Sequence, residues 1–184
     1  MASAFSHAIA AAAITAAFYR PGVPKRLWIA GIAGSVLPDL DVIGFRFGIH
    51  YGDFWGHRGF THSLTFAALL AAVLAAGNLR TRHEIARASL FAYLFLSTAS
   101  HGLLDAMTSG GLGIAFFSPF DNQRYFFPWR PIRVSPIGVS RFFSASGLAI
   151  LKSELLWIWL PSTLVIVLVT ISRRSRIREL ESPG

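Results

Sequence analysis

Four groups of His and Asp residues carry the chemistry this chain could do: His7, Asp39-Leu40-Asp41, the run His57-Arg58-Gly59-Phe60-Thr61-His62, and His101-Gly102-Leu103-Leu104-Asp105. They hold four of the six histidines and three of the five aspartates, in a chain of which only 14% is charged. Each group ends or begins an apolar segment, where ionisable side chains are costly to keep and usually serve a function. Imidazole nitrogen and carboxylate oxygen are metal ligands. With no cysteine present, thiolate sites, disulfides and cysteine nucleophiles are excluded, so a metal here is held by nitrogen and oxygen.

On a helix, His101 and Asp105 are four residues apart and project from one face. They could bind one metal or bridge two; alone, the pair reads equally well as a buried His–Asp hydrogen bond. Asp39 and Asp41 follow Pro38 at the end of an apolar run, and at least one suits a hard metal ion. The bland alternative is that Asp39 caps a turn and Asp41 is solvated. Gly59 permits a turn through which His57 and His62 can converge. Thr61 or Ser63 would cap the next helix or support an imidazole. His50 and His83 lie in a loop and among basic residues, and are set aside.

A His/Asp metal site lowers the pKa of a bound water and polarises a phosphoryl or carbonyl oxygen. Two metals sharing an Asp would suit phosphoester hydrolysis, with Arg58, Arg124, Arg130 or Arg133 gripping the phosphate and Asp39 or Asp41 accepting the proton. HExxH is absent, which places phosphoester above peptide hydrolysis. GxSxG, Walker A and GxGxxG patterns are absent too.

The elements that must position these residues are apolar. The chain has 184 residues, 53% of them hydrophobic, and a mean hydropathy of +0.52, which indicates one integral-membrane domain over 1–184. The net charge of +8 is divided into short clusters between apolar runs, a pattern of membrane topology rather than of nucleic-acid binding. The apolar runs cover about 3–19, 27–37, 63–76, 88–107 and 155–171. The last two are long enough to span a bilayer; the second and third are short for it. Residues 8–18 are expected to stay as a helix, since no basic residue precedes them as in a signal peptide.

If Arg20, Lys25 and Arg26, then Arg80, Arg82 and Arg87, then Arg173, Arg174, Arg176 and Arg178 face the cytoplasm, the chain crosses five times. That topology puts His7, Asp39, Asp41, His57, His62 and Asp105 at the non-cytoplasmic side, without those residues having entered the assignment. The segment 110–147, rich in aromatics, Pro and Arg, is expected to be a loop or short hairpin at the outer interface. The expected fold is all-α, a multi-pass helical membrane bundle of about five helices.

At Leu37-Pro38-Asp39-Leu40-Asp41, His57-Arg58-Gly59-Phe60-Thr61-His62-Ser63, His101-Gly-Leu-Leu-Asp105 and Pro128-Trp129-Arg130-Pro131-Ile132 the chain resembles the YdjM-like family, described as LexA-binding, inner-membrane-associated metal-dependent hydrolases. The resemblance covers most of the chain and implies a bacterial inner-membrane location. Its ligand order is similar to a reduced form of the zinc-dependent phospholipase C and nuclease P1 arrangement. By that likeness His7, one of Asp39 and Asp41, one of His57 and His62, His101 and Asp105 would hold zinc, or else manganese. No later His or Glu pair supplies a three-metal cluster, so one or two metals are expected. The expected partners are membrane lipid and a phosphoester or lipid-like substrate, with no nucleic acid. A non-catalytic metal-binding or sensor protein is the alternative, and a small ion or proton transporter a third.

Overall fold

The computed structural model describes residues 1–21, 23–77, 86–135 and 145–181; Arg80, Arg82 and His83, which bear on the charge reading, lie outside them. Among the described residues the chain is all-α, with helices α1 (Ala4–Phe18), α2 (Lys25–Val36), α3 (Leu64–Gly77), α4 (Arg87–Ala106), α5 (Ala145–Glu154) and α6 (Leu160–Glu181). A π-helical turn, Leu155–Trp159, joins α5 to α6. A 3-10 stretch, Leu37–Phe47, continues α2, and Pro38 sits at its start, where a missing N–H costs nothing.

The bundle is organised around α4, which packs against α1, α2 and α3. One face of α4 is buried from Leu90 through Leu94, Ser97, Thr98 and His101 to Asp105, at helical spacing. Its first half is apolar: Leu90, Tyr93 and Leu94 pack with Leu27, Trp28 and Ala71. Its last half is polar. From Leu94 to Asp105 is about 16 Å along the axis, so the apolar core and the ionisable cluster occupy opposite ends of the helix.

Among the described residues two helices are long and apolar enough to cross a membrane, Lys25–Phe47 and Gly147–Arg176, rather than about five. The assignment of individual spans also changes. Residues 27–37 reach spanning length because the 3-10 stretch extends them, whereas α4 carries Ser, Thr, His and Asp along its buried face and serves as the bundle's centre. Helices α1 and α3, at 15 and 14 residues, are about 20 Å long, against a hydrocarbon core of about 30 Å. Helix α6 presents Leu160, Leu164, Leu168 and Ile171 outward, each more than half exposed. An apolar helix so exposed is satisfied by lipid, not by water.

The 110–135 segment is an irregular loop pinned at two points. Ile114 and Tyr125 exchange both backbone hydrogen bonds (2.8 and 2.9 Å), as in a hairpin, and Ser109 N–H donates to Ile132 O. Among the described residues it forms no regular strand.

Candidate metal centre

Helices α1 and α3 start at the ionisable cluster, and α2 and α4 end there. His7 lies in the first turns of α1, Asp39 just past α2, His62 just before α3, and His101 and Asp105 in the last turns of α4. Gly102 permits the close approach: a Cβ there would lie 2.8 Å from His62 O. Ser63 caps α3 by accepting from Phe66 N–H at 3.0 Å.

Asp39, His62, His101 and Asp105 each bring a ligand atom within 4.8 Å of the others. His62 Nε2 is 3.0 Å from His101 Nε2, His101 Nε2 is 3.3 Å from Asp39 Oδ1, and His62 Nε2 is 3.9 Å from Asp105 Oδ2. His7 joins from α1, its Nε2 3.5 Å from Asp105 Oδ1 and its ring stacked on His101 at 3.7 Å. Ligands about 2.1 Å from one ion lie about 3.0 to 3.4 Å apart in octahedral or tetrahedral shells; the His62–His101 and His101–Asp39 separations fall in that range, and those to Asp105 are longer.

The surroundings fix which nitrogens face inward. His101 Nδ1–H donates to Ser35 O at 2.7 Å, leaving the Nε2 lone pair for the centre. Thr61 gives its hydroxyl proton to Asp41 Oδ2 at 2.7 Å, so its oxygen accepts from His62 Nδ1–H at 3.0 Å. His62 Nε2 then also presents a lone pair. Two lone pairs 3.0 Å apart repel unless a proton or metal ion lies between them. Nearby, both oxygens of Asp39 and both ring nitrogens of His7 are buried without a hydrogen-bond partner, which is costly for polar atoms that nothing binds. The donor set suits a divalent cation, which Asp39, His62, His101 and Asp105 could hold, with His7 beside them.

Without a metal, a proton takes that place. Burial disfavours a charged imidazole, but the neighbouring Asp39 and Asp41 carboxylates outweigh it and raise His62 to about 9.

Asp41 and His57 stand behind this set. Along a 3-10 helix, residues two apart point about 120° away from each other, so Asp39 turns toward His101 while Asp41 turns to His57. His57 Nδ1 is 2.8 Å from Asp41 Oδ1, and Asp41, His57 and His62 form a second group close enough to ligate. Asp41 nevertheless accepts from His57 and Thr61 and lies 3.2 Å from His62 Nδ1. That is how a carboxylate orients a ligating histidine.

The arginines divide. Arg58 is fully buried, donates to Gly110 O, Leu112 O and Thr108 Oγ1, and places Nε 3.2 Å from Asp105 Oδ2. It braces the centre from within: three of its four terminal N–H donors are taken and the side chain is fully buried, a frame position rather than the catalytic role expected of it. Arg124 is likewise engaged, bonding His57 O, Tyr51 O and Asp53 O, so it positions the loop carrying His57. Arg130 and Arg133 line an open cavity away from the centre.

Ser35, Gly102 and Glu154 escaped the sequence reading. Ser35 acts through its carbonyl, which no motif marks. Glu154 is fully buried and accepts from Ser3 N–H, Ser3 Oγ and Ser6 Oγ at 2.6 to 2.8 Å, tying the start of α1 to α5. An acid beside a long apolar run was the available signal.

An exposed apolar helix and a buried His/Asp cluster at one end of a helical bundle define a membrane protein with a candidate metal centre. The chain belongs to the YdjM inner membrane protein family, whose model matches residues 1–176. It is 42% identical over 153 residues to the inner membrane protein YbcI of Escherichia coli (strain K12), covering 83% of this chain and 87% of that one. The uncharacterized protein YvsG of Bacillus subtilis (strain 168) is 31% identical over 113 residues, covering 58% and 66%. No solved structure matches, so the expected likeness to phospholipase C and nuclease P1 has no structural support.

Proposed function

We propose that the protein is a multi-pass inner-membrane hydrolase, dependent on a divalent metal such as zinc, acting on a phosphoester or lipid-like substrate at the non-cytoplasmic side. The observation that carries the metal is the pair of inward lone pairs on His62 and His101 beside the unpartnered oxygens of Asp39. A divalent ion there supplies a water of lowered pKa and a Lewis acid for the phosphoryl oxygen. Asp39 is the one ligand of the five whose side chain reaches the surface, at 8% exposure against 0% for His62, His101, His7 and Asp105, so substrate would approach past it. Asp39 Oδ2 has no partner, whereas both Asp41 oxygens are engaged; Asp39 is therefore the better placed proton acceptor.

The test is turnover. Purified protein in mild detergent, offered phosphodiester and phospholipid substrates, is expected to hydrolyse one class, to stop on chelation and to recover with zinc or manganese. Retained metal without turnover, with unfolding on chelation, would establish the non-catalytic reading, which the near-complete burial of the ligands favours.

Metal uptake should depend on pH in a defined direction. The proton on His62, held to about 9, competes with the metal, so affinity rises up to about tenfold per pH unit and levels off near pH 9. In the metal-free protein the sign is opposite. A histidine raised above its usual 6.5 stabilises the fold fully below that value and loses the contribution as pH climbs through about 9. Calorimetric titration at pH 6, 7 and 8 measures the first effect, and a flat profile would contradict it.

A further inference from the structure

We infer that the cavity between the 130–134 segment and α5 binds the phosphate of an anionic phospholipid headgroup, separately from the metal centre and whether or not that centre turns over substrate. The cavity has a volume of about 540 Å³ and is lined by Arg130, Arg133, Ser109 and Ile150, among others, a size that suits a small polar group. Among the described residues no carboxylate pairs with either guanidinium, and both arginines are exposed. Two unpaired guanidiniums at one opening form a phosphate-recognition element.

The walls are built rather than incidental. Arg130 is stacked over the Phe126 ring at 4.7 Å, which fixes its direction. Arg133 N–H donates to Ser153 Oγ at 3.0 Å, tying the segment to α5. Ser109 Oγ accepts from Val134 N–H at 3.2 Å, and so keeps its own proton to donate.

What surrounds the cavity selects a lipid over a free ion. Ile150 belongs to the helical run Gly147–Arg176, which is long and apolar enough to lie in a bilayer. Leu148 beside it is 72% exposed. Trp129 packs edge-on against Trp157 at 4.7 Å, and both are partly exposed, as tryptophans are at the headgroup level. Arginine, tryptophan and an apolar face then meet a lipid's phosphate, glycerol region and acyl chain in order.

The experiment is native mass spectrometry of the full chain released from detergent, with phosphatidylglycerol or phosphatidylcholine added, and with glycerol 3-phosphate as a soluble competitor. Wild type is expected to retain phosphatidylglycerol preferentially. Each guanidinium removed costs roughly fivefold, and Arg130→Gln with Arg133→Gln about thirtyfold. The doubly Lys-substituted protein should recover part of the binding. Metal content, read in the same samples, should not change, which keeps failure here distinct from failure of the metal centre. Equal retention of the two lipids, unchanged binding in the Gln double variant, or displacement by millimolar glycerol 3-phosphate would each overturn the assignment.

Discussion

His101→Ala and Asp105→Ala should each leave the purified protein with less than about a tenth of the metal that wild type carries, measured by elemental mass spectrometry after detergent purification. Loss of an outer-shell partner alone weakens a metal about 10- to 100-fold; loss of a ligand does more. His101 contributes the nitrogen that faces both His62 and Asp39, and Asp105 the carboxylate that faces His7, His62 and Arg58. Asp41→Asn separates ligand from support: if Asp41 only orients His62 and His57, metal falls within the 10- to 100-fold range and is recovered at higher metal concentration. His50→Ala is the control, because His50 is 89% exposed and pairs only with Asp53. Normal metal content in both the His101 and Asp105 variants would sink the centre.

How the cluster was legible in the sequence follows from what assembles it. Charge clusters and apolar runs place helix ends, and helix ends place His7, Asp39, His62 and Asp105 together, so the membership of the group needed no side-chain geometry. The choice between Asp39 and Asp41, and between His57 and His62, did need it. Both depend on a 3-10 path through Leu37–Phe47 and a 3-10 turn at Phe60–His62, and hydropathy does not distinguish that path from a loop or an α-helix. The same stretch explains the misjudged spans, since residues 27–37 looked too short only because the helical path was taken to stop at Pro38. Helix α4 misled in the opposite way: its length and apolar content resemble a span, but its polar residues fall on one face and belong to the bundle interior. The fates of Arg58 and Arg124 were beyond sequence reading, because an arginine that satisfies backbone carbonyls has no sequence signature.

Arg58 therefore yields the largest expected effect on stability. If it gripped substrate, Arg58→Ala would lower turnover and leave the fold intact. Its position predicts the reverse. Among the described residues it is the largest fully buried side chain, its φ of +67° lies in the left-handed region that few non-glycine residues adopt, and its neighbours hold it there through three hydrogen bonds. Truncation strands Gly110 O, Leu112 O and Thr108 Oγ1 and strips Asp105 of its buried cation. Removing one partner of a buried pair costs about 3 to 5 kcal/mol, and uncapping buried carbonyls adds to this. Arg58→Ala should accordingly lower the denaturant midpoint sharply and weaken metal binding with it. Arg58→Lys should rescue little, because a single ammonium cannot span Asp105, Thr108 and two loop carbonyls as the planar fork does. A variant that keeps wild-type stability and metal content but loses phosphoester turnover would return Arg58 to the substrate; loss of stability with no substrate added assigns it to the frame that holds Asp105.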